Sequence, residues 1–161
     1  MTDILRLTLI ILLLTITLSA YFLVIGALFI TRVAKTQTSL TLTPGRSFGL
    51  GMVNFFFFGL IAFVMLSLAE NAGSFIKGTL TIPALLILSF LSILLSLGLT
   101  ATVQHLAERL FPDMSAWKRN LWSSVILCIA CALPFVGWFL LLPYVTFTGI
   151  GATILGFFQK S

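Results

Sequence analysis

Polar residues in this chain are few and clustered, and the stretches between the clusters are long. A helix that crosses a bilayer needs about 20 predominantly apolar residues. Runs of that order lie at Leu7–Thr31, Phe48–Ala69 and Leu80–Val103, and a fourth, Leu121–Phe158, has 38 residues and no charge. As one helix the fourth run would be roughly 57 Å long, against a hydrocarbon core of roughly 30 Å. It contains Pro134-Phe135-Val136-Gly137-Trp138. Proline and glycine favour a turn there, and Trp138 suits an interfacial anchor. The run then divides into Trp117–Leu133 and Trp138–Phe158. The pattern predicts an all-α polytopic membrane bundle of five transmembrane helices, one anchor followed by two hairpins. The alternative is four helices, the last of them kinked, plus a re-entrant segment.

The polar clusters place the boundaries. Arg32 and Lys35 stop the first span, and "KTQTSLTLTPGRS" (Lys35 to Ser47) reads as a polar linker ending in a Pro-Gly turn. The expected organisation is an N-terminal anchor over 1–34, a linker over 35–47 and a two-hairpin module over 48–161. Glu70 to Ser74 closes the second span. Pro83 is expected in the first turn of the third, where its missing N–H costs least. That helix continues through "QHLAERLF" (Gln104 to Phe111) to Pro112. Asp113 and Ser115 are candidate caps for the next helix, with Trp117, Lys118, Arg119 and Trp122 at its interfacial end.

Composition agrees with this pattern. The chain is 60% hydrophobic and 8% charged, whereas soluble domains carry about 25% charged residues. No alternation of polar and apolar positions recurs in short segments, which argues against a β-barrel. The first apolar run exceeds the roughly 7–15 residues of a secretion signal core, so it reads as a retained anchor. The net charge of +5 does not point to nucleic acid, because the basic residues sit at the ends of apolar runs and membrane lipid is the fitting counter-charge. With five spans, Arg32, Lys35, Arg46, Arg109, Lys118, Arg119 and Lys160 share one side, and Arg6 and Lys77 the other. Basic loops stay cytoplasmic, which sets the N-terminus outside and the C-terminus inside.

Three stretches carry a resemblance. "PGRSFGLG" (Pro44 to Gly51), "LTIPALLIL" (Leu80 to Leu88) and "ALPFVGWFLLLPYVTFTGIGATIL" (Ala132 to Leu155) occur in that order. The order is similar to that of an uncharacterised bacterial membrane module often found after bactofilin-like, polymer-forming cytoskeletal domains. The resemblance covers about residues 44–158 and implies a bacterial inner membrane location. It transfers no catalytic residues. These 161 residues include no β-helical polymer-forming sequence, so a cytoskeletal role is not carried over.

Candidate chemistry is sparse. Cys128 and Cys131 form a C-x-x-C, the spacing of a dithiol that passes electrons to a quinone, and equally two small apolar side chains of a helix. His105 is the single histidine, a candidate haem or pigment ligand or a polar residue at a helix end. One histidine does not make a typical zinc site, so no metal is expected. No Asp, Glu, Lys or Arg lies deep in a span, which argues against a proton pump or voltage sensor. Ser92, Ser96, Thr100 and Gln104 recur every fourth residue, a stripe suited to helix packing or to a polar groove. Thr148, Ala152 and Gly156 form a similar small-residue face, and Gly45-x-x-x-Gly49 opens the second span. Asn54 and the Phe55–Phe58 run point toward lipid. The expected function is a non-enzymatic membrane scaffold or accessory subunit, packed against other integral membrane subunits or a second copy. The alternatives are a small lipid or solute conduit along the Ser/Thr stripe and a thiol–quinone redox protein. No cofactor is required, though bound lipid, quinone or pigment is compatible.

Overall fold

The computed structural model describes residues 2–70, 73–133 and 135–158. Their regular structure is helical: α1 (Thr2–Leu28), α2 (Ile30–Leu42), α3 (Pro44–Glu70), α4 (Ser74–Leu110), α5 (Ala116–Ala132) and α6 (Leu142–Phe158). A π-helical turn, Gly137–Leu141, leads into α6. Among the described residues, four helical stretches are long and apolar enough to cross a membrane: Thr8–Leu28, Pro44–Glu70, Ile76–Leu110 and Gly137–Phe158.

Several boundaries differ from expectation. The segment read as a linker is mostly helix, since α2 runs to Leu42 and Pro44 is already the first residue of α3. Its hydroxyls bond back one turn: Thr36 donates to the Arg32 carbonyl at 3.0 Å, Thr38 to Ala34 at 3.0 Å and Ser39 to Lys35 at 3.2 Å. Val33, Thr36 and Ser39 are buried, a one-sided face that tertiary packing stabilises despite weak helix propensity. Only Phe29 and Thr43 interrupt the path, with φ/ψ of −118/40° and −140/62°. The Pro-Gly step makes no turn because proline at the first helical position loses nothing. Pro83 lies inside α4 rather than in its first turn, as that helix starts at Ser74. The helix does continue to Leu110. Ser115 takes the N-cap position of α5, but no side chain caps that helix; the Ser115 carbonyl accepts from the Arg119 N–H at 3.0 Å.

The long apolar run breaks where the sequence places the break. Leu133 is extended at φ −62°, ψ 127°, and Phe135 has φ 67°. Pro134 lies outside the described residues. Gly137 is buried against the end of α5, where an added Cβ would lie 2.5 Å from the Ala130 carbonyl oxygen and 2.6 Å from that of Cys131. Trp138 is exposed.

The arms of this turn do not form a packed hairpin. α5 packs on α1 and α4, whereas α6 packs on α3, α4 and α2. Helix directions bear on the count of crossings. Along α6, Tyr144 shares a cavity with His105, Gly149 meets Gly98, and Thr153 donates to the Leu94 carbonyl at 3.3 Å. These partners run backward along α4, so α4 and α6 are antiparallel. Five alternating spans require the two to be parallel. On α1, Tyr21 meets Ser96 and Gly26 meets Thr100 and Gln104, so α1 runs parallel to α4.

Candidate functional site

The centre of the molecule is built on glycine, and α6 is its axis. A Cβ added at Gly51 of α3 would strike the Phe147 carbonyl, and one at Gly151 would strike the Ser47 carbonyl. On the α4 side, Gly98 and Gly149 abut, and a Cβ at Gly149 would lie 3.0 Å from the Gly98 carbonyl carbon. Backbones approach this closely only where side chains are missing. Around the crossing, the Phe147 ring meets Phe48, Phe55 and Phe56 at centroid distances of 5.7, 5.5 and 5.8 Å. Phe57 of the aromatic run stays exposed, and Asn54 donates to its own helix at Leu50, 2.8 Å.

The expected packing residues fall into two groups. Thr148, Ala152 and Gly156 are buried, and Gly156 rests on α2, where an added Cβ would lie 3.4 Å from the Thr36 nitrogen. Gly45 and Gly49 make no close approach: a Cβ at either meets nothing within 4 Å. The contact on α3 lies at Ser47 and Gly51 instead, because the crossing with α6 falls on that face. The Ser/Thr stripe divides. Ser96 shares a hydrogen bond with the Tyr21 hydroxyl at 2.5 Å, Thr100 is buried and bonds back to the Ser96 carbonyl at 2.8 Å, and Gln104 sits against Gly26 of α1. Ser92 is exposed and bonds only to its own helix, at Leu88, 2.9 Å. α1 therefore covers most of the stripe.

Two cavities flank α4. The first, about 360 Å³, opens between α1, α4, α5 and α6 and is lined by Phe22, Leu99, Cys128, Cys131, Leu142 and Val145 among other residues. Its wall is almost wholly apolar and carries no charged side chain. Both cysteines are free thiols on this wall. No charged side chain lines that wall to favour the reactive thiolate. The second cavity, about 270 Å³, lies where α2 gives way to α3, beside the C-terminal part of α4 and the start of α6. His105, Arg109, Tyr144, Thr41, Thr102 and Thr148 line it. Both volumes approach or enter the roughly 300–1,000 Å³ range of small-molecule sites. Val145 belongs to both walls.

The polar cavity was not legible in the sequence beyond His105. Arg109 is one turn from it and was available as a signal; Tyr144 and Thr41 come from distant segments. Its threonines are spoken for: Thr102 donates to Gly98 at 2.9 Å, Thr148 to Tyr144 at 2.6 Å and Thr41 to Thr38 at 2.8 Å. The neighbouring carboxylate, Glu108, accepts from Gln37 Nε2 at 2.5 Å. Among the described residues, no three His, Cys, Asp or Glu side chains gather as a metal site would require. No protein family, curated protein or solved structure matches the chain.

Proposed function

We propose that the chain is a non-enzymatic integral membrane protein, a scaffold or accessory subunit that packs against other membrane subunits or a second copy of itself. The observation that carries this reading is the contrast between its centre and its rim. The centre is locked backbone to backbone. Outside it, α1 and α3 present long rows of uncovered apolar side chains, among them Leu9, Leu12, Leu13, Phe56, Leu60 and Phe63. In membrane-spanning helices such faces meet lipid or other helices, and a rigid centre beneath them suits a part whose work is done by its outer surface. Purification in mild detergent followed by native mass spectrometry tests this. A stoichiometric partner or a defined homo-oligomer is the expected result, and a lone monomer at all protein concentrations overturns it.

The topology we propose has four crossings, by α1, α3, α4 and α6, with α5 dipping in and returning on one face. The antiparallel α4–α6 pair supports it, and so does the length of α5, whose apolar part from Leu121 to Ala132 reaches only about 18 Å. Arg32, Lys35, Arg46, Arg109, Lys118 and Arg119 then share one side against Arg6, Lys77 and Lys160. That side is cytoplasmic by the distribution of basic residues, in the bacterial inner membrane that the resemblance implies, and both termini are outside. A reporter fused after Ser161 should be exported; a cytoplasmic reporter restores five crossings.

One observation favours the redox reading: Cys128 and Cys131 line one apolar cavity. The scaffold reading expects Cys128→Ala with Cys131→Ala to leave assembly unchanged. Quinone-dependent oxidation of the dithiol to a disulfide, with two electrons and two protons passing to the quinone, would favour the redox protein instead.

A further inference from the structure

The wall of the cavity between α2, α4 and α6 gathers basic and hydroxyl side chains. Arg109 brings a permanent cation to a wall that carries no carboxylate. The nearest acidic side chain in sequence, Glu108, lies off this wall but near enough to His105 to act on it electrostatically, and it is engaged by Gln37. Among the described residues, Arg109, His105 and the Tyr144 hydroxyl make no hydrogen bond or ion pair to another side chain. Together they bring guanidinium, imidazole and phenol donors to the wall of a single space of about 270 Å³. The surrounding threonine hydroxyls turn their protons to backbone carbonyls. They offer no competing negative charge.

We infer that this cavity binds a phosphate group, with Arg109 as its charge partner and His105 and Tyr144 as flanking donors. A guanidinium fork matches phosphate oxygens in pairs, and phenol and imidazole N–H donors complete such a shell. The setting selects the source of the phosphate. The cavity sits at the end of α4 and the start of α6; α4, and α6 together with the π-helical turn before it, are long enough to cross a membrane. The same end carries most of the basic residues in the proposed topology, the side on which anionic lipids concentrate. The phosphate is therefore that of an anionic phospholipid headgroup. This assignment needs the lipid-exposed setting but not the scaffold role.

Native mass spectrometry of the detergent-purified full chain tests it, with phosphatidylglycerol, phosphatidylcholine and inorganic phosphate as separate probes. Phosphatidylglycerol should bind at least tenfold more tightly than phosphatidylcholine. Arg109→Gln should abolish that preference, and Tyr144→Phe should weaken it several-fold, while Lys118→Gln leaves it intact. Arg109 and Tyr144 are exposed at their helix surfaces, and a thermal melt confirms that the variants are folded. Displacement of the lipid by millimolar inorganic phosphate would support the phosphate chemistry and move its source to a soluble ion. Equal binding of the two lipids overturns the anionic-headgroup assignment, because phosphatidylcholine carries the same phosphodiester with its charge cancelled by choline; an equal loss in Arg109→Gln and Lys118→Gln, which would mean diffuse surface attraction, overturns the site. Retained lipid preference with no oligomer leaves this site standing and removes only the scaffold role.

Discussion

α5 and α6 have the same length, 17 residues each, and flank the break in one long apolar run, which α5 enters only after Lys118, Arg119 and Asn120. They end in opposite environments. Eight residues of α6, among them Gly149, Ile150, Gly151, Ala152 and Thr153, are buried between three other helices, whereas α5 buries Ser123, Ser124 and Leu127 and lies against α1 and α4 beside a cavity. α5 is the less apolar, opening with Lys118, Arg119 and Asn120, and it differs in glycine too: α6 holds Gly149, Gly151 and Gly156, and α5 holds none. In a lipid-like setting leucine gains little by leaving its neighbours for other helices, so association rests on how closely backbones can approach. α6 is central because its glycines let α3 and α4 touch its main chain.

The comparison is broken most severely at Gly151. A single methyl there meets the Ser47 carbonyl and the Gly51 nitrogen, both backbone atoms that no rotamer change can move aside. Gly151→Ala should cost about 3 kcal/mol, the upper end of ordinary overpacking, and Gly151→Leu should prevent folding. Thermal unfolding in detergent measures the first and yield of monodisperse protein the second. A tolerated Gly151→Leu would place α6 somewhere other than between α3 and α4.

The turn that separates the two helices is the next point of leverage. Phe135 is held at φ 67°, a left-handed conformation that disfavours a residue with a Cβ by roughly 1–2 kcal/mol. Phe135→Gly should raise stability by about 1 kcal/mol, or leave it level after the unfolded chain gains freedom. Gly137→Ala should lower it by about 1–3 kcal/mol, because its methyl meets the carbonyls that end α5. If both changes were neutral, the break would not be a fixed turn, and one bent helix would describe the run better.

How far these features were legible depends on whether one helix or two are needed to define them. The break at 133–137, the run of α4 to Leu110 and the long apolar helices each follow from local composition, and sequence reading places them. α2 escaped because Ser and Thr suggest a loop; the helix is stabilised by burial of Val33, Thr36 and Ser39, which only the packed molecule supplies. Gly45 and Gly49 have the right spacing on one helix, but a contact needs a matching face on another, and α6 meets Ser47 and Gly51. The same limit hid the polar cavity, since Tyr144 joins His105 and Arg109 only through the path of α6.

Gly49→Ala tests that limit directly. A Cβ at Gly49 meets nothing within 4 Å, so no clash opposes the gain in helix propensity of up to about 1 kcal/mol. The substitution should stabilise by about 0.5 kcal/mol, opposite in sign to Gly151→Ala. A loss comparable to that at Gly151 would mean that Gly49 packs against a second subunit, and it would place the partner surface on the first turns of α3.

An effect of similar size concerns how α1 is held. Its polar link to α4 is the hydrogen bond between Tyr21 and Ser96, 2.5 Å between oxygens. Interhelical bonds of this kind in membrane proteins average about 0.6 kcal/mol, because the separated helices find other partners. Tyr21→Phe should therefore lower stability by about 0.6 kcal/mol, and Ser96→Ala should add little to it, since both remove the same bond. The ring stays in place, edge-on to Phe22 at 5.8 Å, so packing is preserved and the hydroxyl is isolated. An additive double variant would show that the two oxygens act independently. α1 would then be held mainly by apolar contacts such as that of Phe22 with Val103 and Leu127, and the loose rim of the molecule would extend to the whole of its first helix.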